Sequence, residues 1–305
     1  MSYGKLYLME SAFQRFPFVL LCSLVTLIPY SNAQQISNNT IAPLDLVRRA
    51  VANELNPPDG DKKYLFKHYK KNPNGTQTMI YAQTRDAIAG MVIAINDKPL
   101  TPDQRKGESQ RVQRFIDDPD ELKKKQKQEK ENIDRVTRII RALPDAFLYQ
   151  DDGAETGRTG IGKTGEELRR LSFQPNPKYD PPSRIEQILT GMQGYILIDP
   201  VCNRIAMIDG TLQKDVSFGW GILGHLDRGG HIKLSQGDIG NKHWQMTGID
   251  MAFTGKILLF KTITAHSTET YSDFHPVASD TTFSQGVDLL KKYEAQWLLS
   301  QNQTK

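Results

Sequence analysis

The sequence predicts an α+β protein, a curved antiparallel β-sheet (half-barrel) covered by helices. Three observations carry that reading. From about residue 146 to 267 short β-rich runs recur between turn residues, the punctuation of an antiparallel meander. Amphipathic helical stretches stand before, within and after the β-rich segments. Capping signatures fix where the later helices start: Thr101 and Pro102 with Gln104, Asp118 and Pro119 with Glu121, and Thr282 with Gln285.

Lys5 and Arg15 precede the apolar run "FPFVLLCSLVTLIPY", which ends in "SNA". Residues 1–33 therefore read as a secretory signal peptide cleaved near Ala33, and the mature protein is expected to be periplasmic or secreted. Residues 34–300 then form a single α+β domain. In "APLDLVRRAVANEL" the residues Leu44, Val47, Val51 and Leu55 recur at helical spacing. "KYLFKHYKK" and "QTMIYAQTRDAIAGMVIAINDKPL" read as strands, with Pro73, Asn74 and Gly75 turning a hairpin and "NDK" leading on to the helices. A helical insertion occupies about 102–143. In its second helix Ile133, Val136, Ile140 and Leu143 form the apolar stripe, while "ELKKKQKQEKE" upstream is polar all round. The β-meander fills about 146–267. A C-terminal helix follows at about 282–300, with Phe283, Val287, Leu290 and Trp297 on one face; the helices are expected to cover one face of the sheet.

The 305 residues carry a formal net charge of +4, too little to point to nucleic acid. Of the two cysteines Cys22 lies in the leader, so Cys202 has no partner within the mature chain and stability must rest on packing.

The stretch "GRTGIGKT", Gly157 to Thr164, spells a phosphate-binding loop. Such a loop must leave a buried strand and open a helix, so that backbone N–H groups at the helix start cradle the phosphates. Here polar "DDGAET" precedes it, and Gly165 and the alternating "EELRRLSF" follow. A glycine-rich hairpin loop is expected instead, with no nucleotide and no cofactor. His225, His231 and His243 match neither helical nor finger spacing, so no metal is expected. No "GxSxG" elbow appears, and no catalytic residue is assigned. Lys123, Lys124 and Lys125 offer a docking point for an acidic protein or a membrane surface, or form a solvated helix face.

The most unusual segment is "DVSFGWGILGHLDRGGH", where Gly219, Gly221 and Gly224 alternate with large apolar residues. Glycine weakens a strand and marks a bend or a close backbone approach. The bulky side chains either fill the inner side of a bent sheet or line an apolar cavity. On the second reading Phe218, Trp220, Ile222, Leu223 and Leu226 are the ligand-binding residues, joined by Tyr195 and Trp244.

Over most of the mature chain the sequence resembles a family of uncharacterised exported bacterial proteins, through "INDKPLTPDQ", "FQPNPKYDPPSR", "GMQGYILID", "RIAMIDGTLQKDVSFGWGILGHLDRGGH", Trp244 and "GKILLFK". More loosely, its order of elements is similar to that of the periplasmic lipoprotein-carrier superfamily. That resemblance implies a half-closed antiparallel barrel plugged by helices, whose concave apolar face shields acyl chains from water. The expectation is an exported, non-enzymatic protein that binds an apolar or acylated ligand (lipid or lipoprotein) on the concave face. The alternatives are a cell-envelope interaction module without a ligand, and a hydrolase.

Overall fold

The computed structural model describes residues 41–57, 60, 62–218, 224–257 and 261–303; the leader, and Trp220, Ile222 and Leu223, lie outside them. The α-helices among these residues are α1 (Pro43–Leu55), α2 (Pro102–Asp117), α3 (Pro119–Ala146), the single turn α4 (Arg184–Gln187), continued by a 3-10 turn at Ile188–Gly191, and α5 (Phe283–Gln303). The strands are β1 (Lys63–Asn72), β2 (Gly75–Gln83), β3 (Ile88–Ile95), β4 (Lys98–Pro99), β5 (Phe147–Thr156), β6 (Glu167–Pro175), β7 (Met192–Asp199), β8 (Arg204–Leu212), β9 (Val216–Phe218), β10 (Gly224–Leu226), β11 (His231–Asp238), β12 (Trp244–Ile257) and β13 (Lys261–Val277). They make one antiparallel sheet in the order β4-β3-β2-β1-β13-β12-β11-β8-β7-β6-β5, with β9 and β10 as a side ribbon on β12. Its two outer strands do not pair with each other, so the sheet is open. The fold is α+β.

Local chemistry starts the helices where the sequence marks them. At Thr101 and Gln104 the hydroxyl accepts the Gln104 N–H and the amide oxygen accepts the Thr101 N–H, satisfying two donors that the first turn leaves open. Thr282 and Gln285 repeat the exchange. Asp118 caps α3 by accepting from the N–H groups of Asp120 and Glu121. Between β3 and β4 the expected linker is a two-residue hairpin turn: Asn96 and Asp97 have φ of 50° and 59°, a left-handed pair that asparagine and aspartate tolerate. α3 runs three residues past the expected end at 143, carrying Pro144 in its last turn.

Cross-strand register places a row on one face. Leu171, Ile196, Ile208, Leu234, Ile249 and Glu269 stand opposite one another in turn, and Lys70 follows on β1. The row is apolar until Ile249 and ionic after it. α1 and α3 bury the β5–β8 end of this face, where Leu46, Val47, Ala50, Leu143, Phe147, Leu171, Ile196 and Ile198 form the largest core. On β2, Met79 pairs with His68 and Ile80 with Lys67, so Ile80 points to the other face. There Ile80, Ala82, Met91 and Ile93 pack under Val112 of α2 and Phe283, Val287 and Leu290 of α5. The helices thus cover opposite faces at opposite ends of the sheet, not one face.

β3 exposes an edge beyond its short pairing with β4. Glu129 of α3 accepts the Ile88 N–H at 3.2 Å, Glu108 of α2 accepts the Val92 N–H at 2.7 Å, and Arg111 donates to the Gly90 carbonyl at 2.7 Å. Two helices therefore bond the strand groups that an added strand would otherwise take.

Candidate functional site

A cleft of about 570 Å³ opens between α1, α3 and one end of the sheet. α3 borders the cleft opposite the starts of β1, β8 and β12 and the end of β11. That placement gives the cleft its walls: Ile133, Val136 and Ile140 of α3 on one side, Trp244 and Met246 of β12 on the other. Ile133 and Val136 are half-buried and pack against none of the buried cores among the described residues.

The floor is ionic and already paired. Glu54, near the end of α1, takes two bonds from Arg204, Nε to Oε1 at 3.0 Å and Nη2 to Oε2 at 3.4 Å. The same carboxylate accepts the Ile205 N–H at 3.1 Å and the Gln236 amide at 3.2 Å. All of these side chains are buried, and the Arg204 guanidinium lies 5.8 Å from the Trp244 ring centroid. Both carboxylate oxygens are taken by donors of β8 and β11, so Glu54 ties α1 to the sheet.

The rim is basic. Exposed Arg138 and Arg141 stand on α3, and Lys62 enters β1 across from them with Nζ 2.5 Å from His243 Nε2. Asp134 also borders the cleft but pairs with Lys130 at 3.1 Å.

Of the residues expected to bind ligand, the four described ones fall in three separate places. Trp244 lines the cleft, 4 % exposed, and its other side packs in a small core with Ile161, Leu168, Leu197 and Met207. Tyr195 points to the face opposite Ile196, where the Arg170 guanidinium stacks 3.6 Å from its ring centroid. Burial first, then the charge of Asp209, raises its phenol pKa. Phe218 and Leu226 sit in the β9–β10 ribbon, half-buried against the largest core. That ribbon pairs with residues 255–257 of β12, roughly 35 Å along the strand from Trp244.

The other motifs resolve locally. Gly157 to Thr164 lies in the loop between the antiparallel strands β5 and β6, with no helix after it. It closes on itself through Gly157 and Glu166 and docks on β11 through Gly162 and Gln236. Lys163 pairs with Glu166 at 2.9 Å. His225 meets Asp227, and His231 meets Asp209, in separate pairs. Among the described residues no group of three His, Cys, Asp or Glu gathers as metal ligands. Lys123, Lys124 and Lys125 pair with Asp120, Glu121 and Glu129 of their own helix.

In the sequence Ile133 and Val136 read as part of an apolar helix stripe, and Arg138, Arg141, Glu54 and Arg204 do not stand out. The legible signal was the run after Asp134, three arginines interleaved with an apolar stripe and no carboxylate until Asp145. No protein-family model, curated protein or solved structure matches the chain.

Proposed function

We propose that the chain is an exported, non-enzymatic binding protein that holds an apolar or acylated ligand in the cleft under α3, the open sheet acting as a half-barrel that the helices plug. One observation carries the reading: α3 turns half-buried Ile133 and Val136 toward Trp244 and Met246 across open space instead of into a core. A cleft of this size falls in the range of small-molecule sites, which are mostly apolar with a few placed polar groups. Each methylene buried there contributes about 0.8 kcal/mol, so a chain of moderate length is retained without a catalytic group. The leader-like pattern of residues 1–33 supports export, and the engaged state of Glu54 supports a role without chemistry.

The test is uptake of a fluorescent acyl probe by the purified mature chain. Val136→Asp places a charge on the wall and should reduce affinity at least about tenfold, a loss of about 1.4 kcal/mol, with the fold intact. Unchanged uptake in the variant would place the ligand elsewhere.

A further inference from the structure

We infer that the ligand of this cleft is a single-chain amphiphile with an anionic head, a carboxylate or a phosphate, whose chain lies on Ile133 and Val136 and whose head meets Arg138 and Arg141. The inference rests on the proposal that the cleft is the binding site.

Charge along α3 points to it. Upstream, Lys124, Lys125, Lys130 and Arg135 are each within 4 Å of a carboxylate on the same helix. The ten residues after Asp134, which include the cleft wall as far as Arg141, carry no acid, and among the described residues none pairs with Arg138 or Arg141. The helix dipole favours a cation in the last turn, but Arg138 lies about two turns before the end, beyond the reach of that effect. Glu54 and Arg204 offset each other at the floor, which leaves the α3 arginines to set the charge of their wall.

Helical geometry then joins the two chemistries. Ile133, Thr137 and Ile140 form one line down α3, flanked by Val136 on one side and by the line of Asp134, Arg138 and Arg141 on the other. A chain on the first line brings its head to the second. The guanidinium fork matches the paired oxygens of a carboxylate or phosphate.

The test titrates the mature protein with dodecanoate, dodecyl phosphate, dodecanol, acetate and inorganic phosphate. At low salt both charged amphiphiles should bind about tenfold tighter than dodecanol, and the gap should narrow as salt rises. Arg138→Ala with Arg141→Ala should close the gap without loss of helicity, since both side chains are exposed. Lysine at both positions should restore part of it. The ranking of dodecanoate against dodecyl phosphate identifies the head. Equal binding of all three chained probes, abolished by Val136→Asp, would overturn the anionic head and leave the cleft standing. Acetate or inorganic phosphate binding as tightly as the chained probes would overturn the amphiphile. If no probe binds the wild-type protein, the cleft reading itself falls.

Discussion

Glu54 and Arg204, 150 residues apart in sequence, form a two-bond ion pair that fastens the end of α1 to the start of β8 beneath the cleft. Breaking such a pair leaves one charge buried and alone, which costs about 3–5 kcal/mol. Arg204→Met should therefore lower the thermal midpoint markedly by calorimetry. Adding Glu54→Gln should recover part of the loss, because the neutral amide oxygen still accepts the Ile205 N–H. A harmless Arg204→Met would mean that the pair does not hold α1 in place.

A second buried network lies further along the same face. Burial pushes the Glu269 carboxyl up, but hydrogen bonds from His68 and Lys70 and their charge outweigh it and bring its pKa down to about 2. Ser267 and Tyr271 donate to the same carboxylate. A group whose pKa falls on folding stabilises the protein above its unfolded value, near 4.5, and loses that contribution as pH drops toward 2. Acid unfolding of wild type should steepen between those values, and Glu269→Gln should flatten that limb while lowering stability at pH 7. Parallel acid limbs would contradict the assignment.

The edge of β3 gives a third expectation. Glu108→Ala and Glu129→Ala remove the acceptors for the Val92 and Ile88 N–H groups, each worth about 2 kcal/mol for a charged partner. Hydrogen exchange at those two amides should accelerate, and the double variant should associate more readily as concentration rises. Full protection in the double variant would show that the carboxylates do not cap the edge.

The phosphate-loop spelling gives a fourth. A Cβ at Gly157 would lie 2.2 Å from the Lys163 carbonyl, so Gly157→Ala must open the loop and should destabilise the protein. Magnesium with ATP or GTP should leave the thermal midpoint of wild type unchanged. A nucleotide-dependent rise would contradict the hairpin-loop reading.

Much of the fold was legible because its signals are local. The boxes at Thr101 and Thr282, the cap at Asp118 and the β1–β2 turn each depend on a few neighbouring residues, and they form as the sequence implies. What escaped depends on pairings between distant segments. β13 joins β1 across about 200 residues, and this register decides which face Glu269 and His68 share. The Asn96–Asp97 turn escaped because β4 is only two residues long. The cleft escaped for a related reason: Ile133 and Val136 have core-like spacing, and only the placement of α3 opposite the strand ends makes them a wall. Trp244 is the one expected ligand residue among those described that reaches this wall.

The most direct test of the account is native mass spectrometry, followed by organic extraction, on wild-type and Val136→Asp protein purified from the cell envelope of the producing organism. One acyl-bearing species per wild-type chain and an empty variant that still folds are expected. An empty wild-type protein that takes up no added lipid would contradict the account.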